Sequence, residues 1–358
     1  MNTVVITAGG TGGHVLPGLA VARRLHGEGV QVIWMGTRRG LEAKLVPPTG
    51  IHMEWISIQG LRGRGLLGWL LLPFRALYAM FQAGFILLRR RPAAVLSMGG
   101  FVAGPGGLMA WVLRRPLIVH EQNAIPGFTN RILSIFATRV LTGFPGTFSH
   151  LPGVQHVGNP VRPEIRKIPA PEERLADRTG ALRVLVVGGS QGARSLNRAV
   201  ARTYSQFLAG EAVEIWHQCG ERWLDETRAA YGADHDTVRL EAFIDDMAAA
   251  YAWADIVLCR SGAMTVAELA VAGVGAILVP FPHATDDHQT ANARFLAEHG
   301  AAVLLPELEC TPSRLGELFR ELATERGPIV RMAIHARECS TPDADETIAR
   351  ICREVMHA

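Results

Sequence analysis

The chain begins with VVITAGGTGGHVLPGLAVARRL, residues 4 to 25: an apolar run, a glycine turn, then an apolar-periodic helix. The same grammar returns in RVLVVGGSQGARSLNRAV, residues 183 to 200, where Gly189 answers Gly9 and Gly192 answers Gly12, an offset of 180. A strand that passes through glycines into a helix must be carried back across its sheet before the next strand forms. That commits each copy to parallel pairing. Two copies therefore predict two such sheets.

The rest of the pattern agrees. Apolar strand candidates fall at 3–8, 30–35, 93–98, 116–120 and 139–142 in the first half. In the second half they fall at 183–188, 213–217, 237–241, 255–259, 275–279 and 301–304. Helical patterns separate them, so the expected fold class is α/β: two Rossmann-like domains facing across a cleft. A length of 358 residues suits two or three domains. The proline-rich VGNPVRPEIRKIPAPEE, 157 to 173, marks the seam. The predicted division is 1–162 and 163–342, followed by a last helix over 343–357 that starts after Pro342. Ligands of such sheets bind at the carboxyl ends of the strands, where every glycine-rich turn lies, including MGGFVAGPGG at 98 to 107.

Charge and cysteine usage exclude several classes. Lys+Arg (36) and Asp+Glu (33) nearly balance, which gives no global field for nucleic acid. The five cysteines form no CxxC pair, which argues against a metal knuckle or a disulfide scaffold and for a reducing compartment. Residues 1 to 8 enter a strand with no basic start and cleavage site, so the reading is cytoplasmic. Asp234-His235-Asp236 spells the DxD of metal-dependent transferases but sits in a polar loop; it reads as solvated surface, and no metal or other cofactor is expected.

LLGWLLLPFRALYAMFQAGFILL, 66 to 88, is long enough to span a bilayer. Pro73, Arg75 and Gln82 lie inside it, and spanning would put strands of one sheet on opposite sides of the membrane. The recurrence of Leu77, Tyr78, Phe81, Phe85 and Leu88 instead predicts a helix packed on the sheet by that stripe. Leu66, Leu67, Trp69, Leu70 and Leu71, flanked by Arg62, Arg64, Arg75 and Arg89 to Arg91, add an exposed apolar patch suited to an anionic membrane surface.

The glycine turns can bring backbone N–H groups to a phosphate at a helix N-terminus. Dinucleotide binding fails in the first half. Val15 stands where the third glycine belongs, and VQVIWMGTRRG has no acidic residue to grip a ribose. In DIVLCRSGAMTVAELAVAG, 255 to 273, a helix is expected to start near Thr265 with Glu268 in its first turn. Either Thr265 and Glu268 form a capping box, or the helix end faces a diphosphate while Glu268 accepts ribose hydroxyls. HATDDHQTANARFL, 283 to 296, has the same ambiguity: Asp286 and Gln289 as a cap, or Gln289 against a sugar.

Seven stretches in order, TAGGTGGHVLPGLAVA, MGGFVAGPGG, HEQNAIPGFTNR, VGNPVR, GGSQGARSLN, RSGAMTVAEL and DDHQTANA, cover almost the whole chain. In these the chain resembles the MurG family, the N-acetylglucosaminyltransferases of peptidoglycan synthesis that make lipid II from lipid I. The resemblance implies a glycosyltransferase-B fold. The C-terminal domain would hold UDP-N-acetylglucosamine and the N-terminal domain the undecaprenyl-linked lipid I, at the cytoplasmic face of the membrane. It also implies that the last helix returns to the first domain. Carried over by motif, the donor contacts would be Thr11, Gly12, Gly13, Asn123, Arg162, Ser190, Ile244, Ala263, Met264, Thr265, Val266, Ala267, Glu268 and Gln289. The Ile244 backbone would meet the uracil, Glu268 the ribose, and Ser190 and the helix near Thr265 the diphosphate. Gln289 and Asn123 would read the sugar. Phe101 and Ala103 stand where some members carry Tyr and Ser, so this chain has no hydroxyl there.

An α-linked donor and a β-1,4 product imply inversion by one in-line displacement, which needs a base for the acceptor hydroxyl and support for the leaving UDP anion. His14 is the candidate base, since a helix N-terminus disfavours imidazolium. The alternative is that it only donates to an acceptor phosphate or caps the turn. Arg162 and the helix ends would meet the leaving charge. A UDP-sugar epimerase and a non-catalytic membrane-associated nucleotide-sugar binder are the rival readings.

Overall fold

The computed structural model describes residues 2–58, 72–189, 192–232 and 236–357. The chain divides into two compact units, one of residues 1–161 with 342–358 and one of residues 162–341.

The first unit is built on a seven-stranded parallel sheet in the order β3-β2-β1-β4-β5-β6-β7. Its strands are β1 (Thr3–Ala8), β2 (Gln31–Gly36), β3 (His52–Trp55), β4 (Ala94–Gly99), β5 (Leu117–Glu121), β6 (Arg139–Thr142) and β7 (Val154–His156). The central strands β1 and β4 are buried along their whole length, which is why they read as unbroken apolar runs. The edge strands β3 and β7 were not among the sequence candidates. HMEW and VQH are short and of mixed polarity, with His52, Gln155 and His156 exposed, so neither carries an apolar run.

Each face of this sheet has its own core. On one, Leu19, Val21, Ala22 and Leu25 of the Gly12–Gly27 helix join Ile348, Cys352 and Val355 of the final Ala344–His357 helix. Arg353 pairs with Glu28 at 3.0 Å, and Arg24 with Glu346, along the seam between these two helices. On the other face lie the Leu72–Arg90 and Ala103–Val112 helices.

The first of these corrects the sequence expectation. Its periodic large residues turn outward: Leu77, Tyr78, Phe81, Phe85 and Leu88 are 56–72% exposed. The buried side is Ala79, Ala83, Ile86 and Leu87. Both sets recur at helical spacing, and the small residues win the inner face because they let helices approach closely. A Cβ on Gly84 would lie 2.8 Å from the Met109 side chain of the neighbouring helix. The patch read at Leu66, Leu67, Trp69, Leu70 and Leu71, with Arg62 and Arg64, lies outside the described residues. No helix among the described residues is long and apolar enough to cross a membrane.

The second unit has a six-stranded parallel sheet, order β10-β9-β8-β11-β12-β13. The strands are β8 (Leu182–Val187), β9 (Val213–Gln218), β10 (Val238–Glu241), β11 (Ile256–Cys259), β12 (Gly275–Leu278) and β13 (Ala302–Leu304), all within a residue or two of the sequence candidates. Val184, Val186, Ile256, Leu258 and Ile277 pack with Leu315, Phe319 and Ile329 of the outer helices.

Candidate active site

In the first unit β1, β4 and β5 are parallel neighbours, so their carboxyl ends meet on one edge. The residues beyond those ends are glycine or polar: Gly9 to His14 after β1, Gly100 after β4, Gln122 and Asn123 after β5. His14 is the third residue of the Gly12–Gly27 helix and half-buried. Thr11 is the extended N-cap residue, with no capping bond from its side chain, and it is exposed together with Gly13.

The imidazole of His14 lies over the Gly99–Gly100 turn, where both glycines have positive φ, 91° and 78°. A Cβ on Gly100 would come 2.4 Å from the Gly9 carbonyl oxygen and 3.3 Å from His14 Cδ2. Gly100→Ala should therefore cost about 1–3 kcal/mol of stability and displace His14. The expected result is a lower urea midpoint together with a fall in turnover; unchanged values of both would contradict this packing.

Buried polar side chains hold the edge from behind. Glu42 accepts from the Thr37 amide at 2.9 Å, the Thr37 hydroxyl at 2.7 Å and the Gly10 amide at 3.1 Å. The Gly10 N–H is thus already committed, so the open amides of this turn are those at the helix start. Glu121 accepts from the Asn123 amide (3.0 Å) and side chain (3.1 Å), the Gly127 amide (3.1 Å) and Asn130 (2.9 Å). His14 Nδ1 lies 2.8 Å from Gln122 Oε1, and Gln122 Nε2 lies 2.9 Å from His120 Nδ1. His120 Nε2 is 2.9 Å from the Gly158 carbonyl oxygen. Burial pulls the His120 pKa down to about 4, against the Gly158 bond and the Glu121 charge that raise it, so its ring is neutral.

The second unit presents an equivalent edge. Gln218 at the end of β9 donates to the Gly189 carbonyl (3.1 Å) and the Ala242 carbonyl (3.0 Å). It thereby ties the second glycine turn to the loop carrying Ile244. The Ile244 side chain is buried. After β11, Ser261 donates to the Gln289 carbonyl at 2.8 Å, and Gln289 Oε1 accepts from the Phe281 amide at 2.9 Å. Ser190 lies outside the described residues, as do Asp234 and His235.

Both capping readings are overturned. The helix spans Ala263–Ala272 with Gly262 as its extended N-cap, so it begins two residues before Thr265 and puts Glu268 in the second turn. The glycine leaves the first amides open: Ala263, Met264 and Thr265 present theirs as any helix start does. Val266 N–H instead donates to the Gly262 carbonyl at 3.0 Å, and its side chain is buried. The helix His288–Glu298 starts after Asp286 and Asp287, both left-handed, with no side-chain cap. Asp287 accepts instead from the Thr290 hydroxyl at 2.7 Å.

Glu268 is 8% exposed and already occupied. Arg162 grips it with two bonds, Nε to Oε1 at 2.9 Å and Nη2 to Oε2 at 3.0 Å, and Tyr251 donates to Oε2 at 3.2 Å. Burial draws the Arg162 pKa down, but Glu268 outweighs it and holds the guanidinium above its usual value. Ala267 lies one residue before, half-buried. Among the described residues no three His, Cys, Asp or Glu side chains converge to hold a metal ion.

Residues 4–142 match the glycosyltransferase family 28 N-terminal domain and residues 183–348 match its C-terminal domain. The chain belongs to glycosyltransferase family 28. Within that family it is 53% identical over 352 residues to the UDP-N-acetylglucosamine–N-acetylmuramyl-(pentapeptide) pyrophosphoryl-undecaprenol N-acetylglucosamine transferase of Nitrosococcus oceani, covering 98% of each chain. The MurG crystal structure from Acinetobacter baumannii superposes with a TM-score of 0.86 at 39% identity, over 99% of this chain and 100% of the other. The calicheamicin glycosyltransferase CalG4 superposes at 0.70 with 18% identity, over 100% and 98% of the two chains, a likeness of fold alone.

Sequence reading of this family 28 chain found His14, Glu268 and the glycine turns but missed Glu42, Glu121, Gln122, His120 and Tyr251 as their supports. HEQN carried a signal: four polar residues close an apolar strand, where a buried strand would not place them without partners. Tyr251 gave none, because its partner Glu268 lies in another helix, and neither did the link from Glu42 to Gly10, 32 residues away.

Proposed function

We propose that the chain is an inverting glycosyltransferase that moves N-acetylglucosamine from UDP-N-acetylglucosamine to the C4 hydroxyl of the muramyl sugar of lipid I, giving lipid II. The observation that carries this is the 53% identity to the named transferase, sustained over 98% of both chains and so through both site halves. In this reading the second unit holds the donor: Ile244 by its backbone at the uracil, Glu268 at the ribose, Gln289 at the sugar. Ser190 and the amides of Ala263 to Thr265 hold the diphosphate. The first unit holds the acceptor, and its Thr11, Gly12, Gly13 and Asn123 are assigned to donor contacts.

The acceptor C4 oxygen attacks C1 of the sugar as the C1–O bond to UDP breaks. His14 takes the hydroxyl proton, and the leaving anion is met by the helix-start amides. Arg162 spends two of its five N–H donors on Glu268, which leaves three for the leaving group. Incubating the protein with UDP-N-acetylglucosamine, with and without lipid I, tests the reading. UDP release that depends on the acceptor supports transfer. An acceptor-independent change of the donor sugar would indicate the epimerase, and binding without turnover the non-catalytic protein.

The outward stripe supports docking on an anionic membrane surface. The Ala103–Val112 helix packs between Leu72–Arg90 and Phe128–Ser134, and Trp111, Val112, Phe128, Ile132 and Ile135 are exposed as well. Arg89 and Arg90 are partly spent on Glu54, at 2.6 Å each. Arg75, Arg91 and Arg114 are exposed, and each basic group adds about 1 kcal/mol near an anionic surface. Replacing Leu77, Phe81 and Phe85 with Ser should weaken sedimentation with anionic vesicles at least tenfold, by order of magnitude, with no loss of thermal midpoint. Full retention of vesicle binding would end the docking reading.

A further inference from the structure

We infer that Gln122 and His120 are positioning residues that fix the tautomer of His14, placing its proton on Nδ1 and leaving Nε2 as the basic nitrogen. The inference deepens the base assignment above and rests on it for its catalytic meaning.

One group in this chain of hydrogen bonds cannot change role. The Gly158 carbonyl can only accept, so His120 Nε2, 2.9 Å away, must carry a proton. His120 is fully buried and its pKa is drawn down to about 4, so the ring carries one proton only and its Nδ1 is an acceptor. The Gln122 atom facing it at 2.9 Å must then be the NH2. A second carbonyl demands the same orientation: the His120 main-chain oxygen lies 3.1 Å from that nitrogen and also can only accept. Both amide hydrogens are thereby used on His120. Gln122 Oε1 is left facing His14 Nδ1 at 2.8 Å, and an amide oxygen has no proton to give. His14 must donate from Nδ1.

The chain cannot reorient. Gln122 is 1% exposed, and its main-chain carbonyl is held by Asn159 Nδ2 at 2.9 Å. A histidine in water prefers its proton on Nε2. The network imposes the opposite form, which frees the ring nitrogen farther from the backbone to take the acceptor proton.

The test reads the tautomer directly. In the full-length, uniformly 15N-labelled protein, His14 ring signals are assigned by their loss in His14→Ala. At alkaline pH, the expected pattern is a protonated Nδ1 and a bare Nε2. A His14 ring protonated on Nε2, or a fast mixture of both forms, overturns the inference; the tautomer is read on the unsubstituted protein, and His14→Ala serves only for assignment. Gln122→Met gives the kinetic arm: turnover is expected to fall at least tenfold, by order of magnitude, with the donor KM within about twofold, since donor contacts stay intact. Unchanged turnover in Gln122→Met, alongside lost turnover in His14→Ala, would also overturn it. If His14→Ala keeps full turnover while the Nδ1–H signal is present, the base assignment fails and the tautomer relay stands.

Discussion

Replacing His14 with alanine is expected to lower turnover by about two to four orders of magnitude, with UDP affinity nearly unchanged. The size follows from losing the proton acceptor in the single displacement, since no other base shares its position. On the same edge Glu121 is engaged by Asn123, Gly127 and Asn130, and Glu42 by Thr37 and Gly10. Both carboxylates are buried and already hold their partners. The selectivity for turnover over binding follows because Ile244, Glu268 and Gln289 belong to the other unit. Single-turnover kinetics and calorimetric titration with UDP check the two halves separately. Normal turnover in the variant would remove His14 as base and return it to the phosphate-donor alternative.

The second large effect is expected at Glu268. Its carboxylate has about four acceptor positions, and Arg162 and Tyr251 already fill three with the bonds at 2.9, 3.0 and 3.2 Å. A ribose diol needs two. On the ribose assignment proposed above, donor binding would therefore displace at least one of these three bonds, from Arg162 or from Tyr251. Glu268→Ala removes hydrogen bonds to a charged group, about 1.5–3 kcal/mol or roughly 10- to 150-fold in UDP affinity. It should also abolish the preference for UDP over 2′-deoxy-UDP. Arg162→Ala should keep that preference, because the carboxylate remains. Folding should survive in Glu268→Ala, since the Arg162 side chain is 44% exposed and can be hydrated. Equal affinities of the wild-type protein for UDP and 2′-deoxy-UDP would refute the ribose assignment.

The two effects separate the tasks of the two edges. One edge supplies an imidazole whose proton position we infer to be set by carbonyls that can only accept. The other supplies a carboxylate whose charge is balanced by arginine until a ligand competes for it. Both are arrangements of hydrogen-bond donors and acceptors, and in both the decisive constraint is how many each group has left to give.

Much of this was legible in the residues. The central strands, both glycine turns and the helices after them are local: apolar runs, positive φ at glycine and 3.6-residue periodicity are written within a few positions of one another. So the two parallel sheets could be placed from the chain alone, with His14 and the Ala263–Ala272 helix at their carboxyl edges. The edge strands β3 and β7 could not, because a short strand of mixed polarity is defined by its neighbour and not by its own sequence. Nor could the choice of face on the Leu72–Arg90 helix, where alanines and large apolar residues share one period and close packing decided for the alanines. The contacts that give the site its chemistry join residues 108 apart, His14 with Gln122, and 106 apart, Arg162 with Glu268. Local sequence determined which backbone would form, because its signals act within a turn or a strand. Tertiary structure decided which buried donor meets which acceptor, since that pairing is fixed only when distant segments exclude water together.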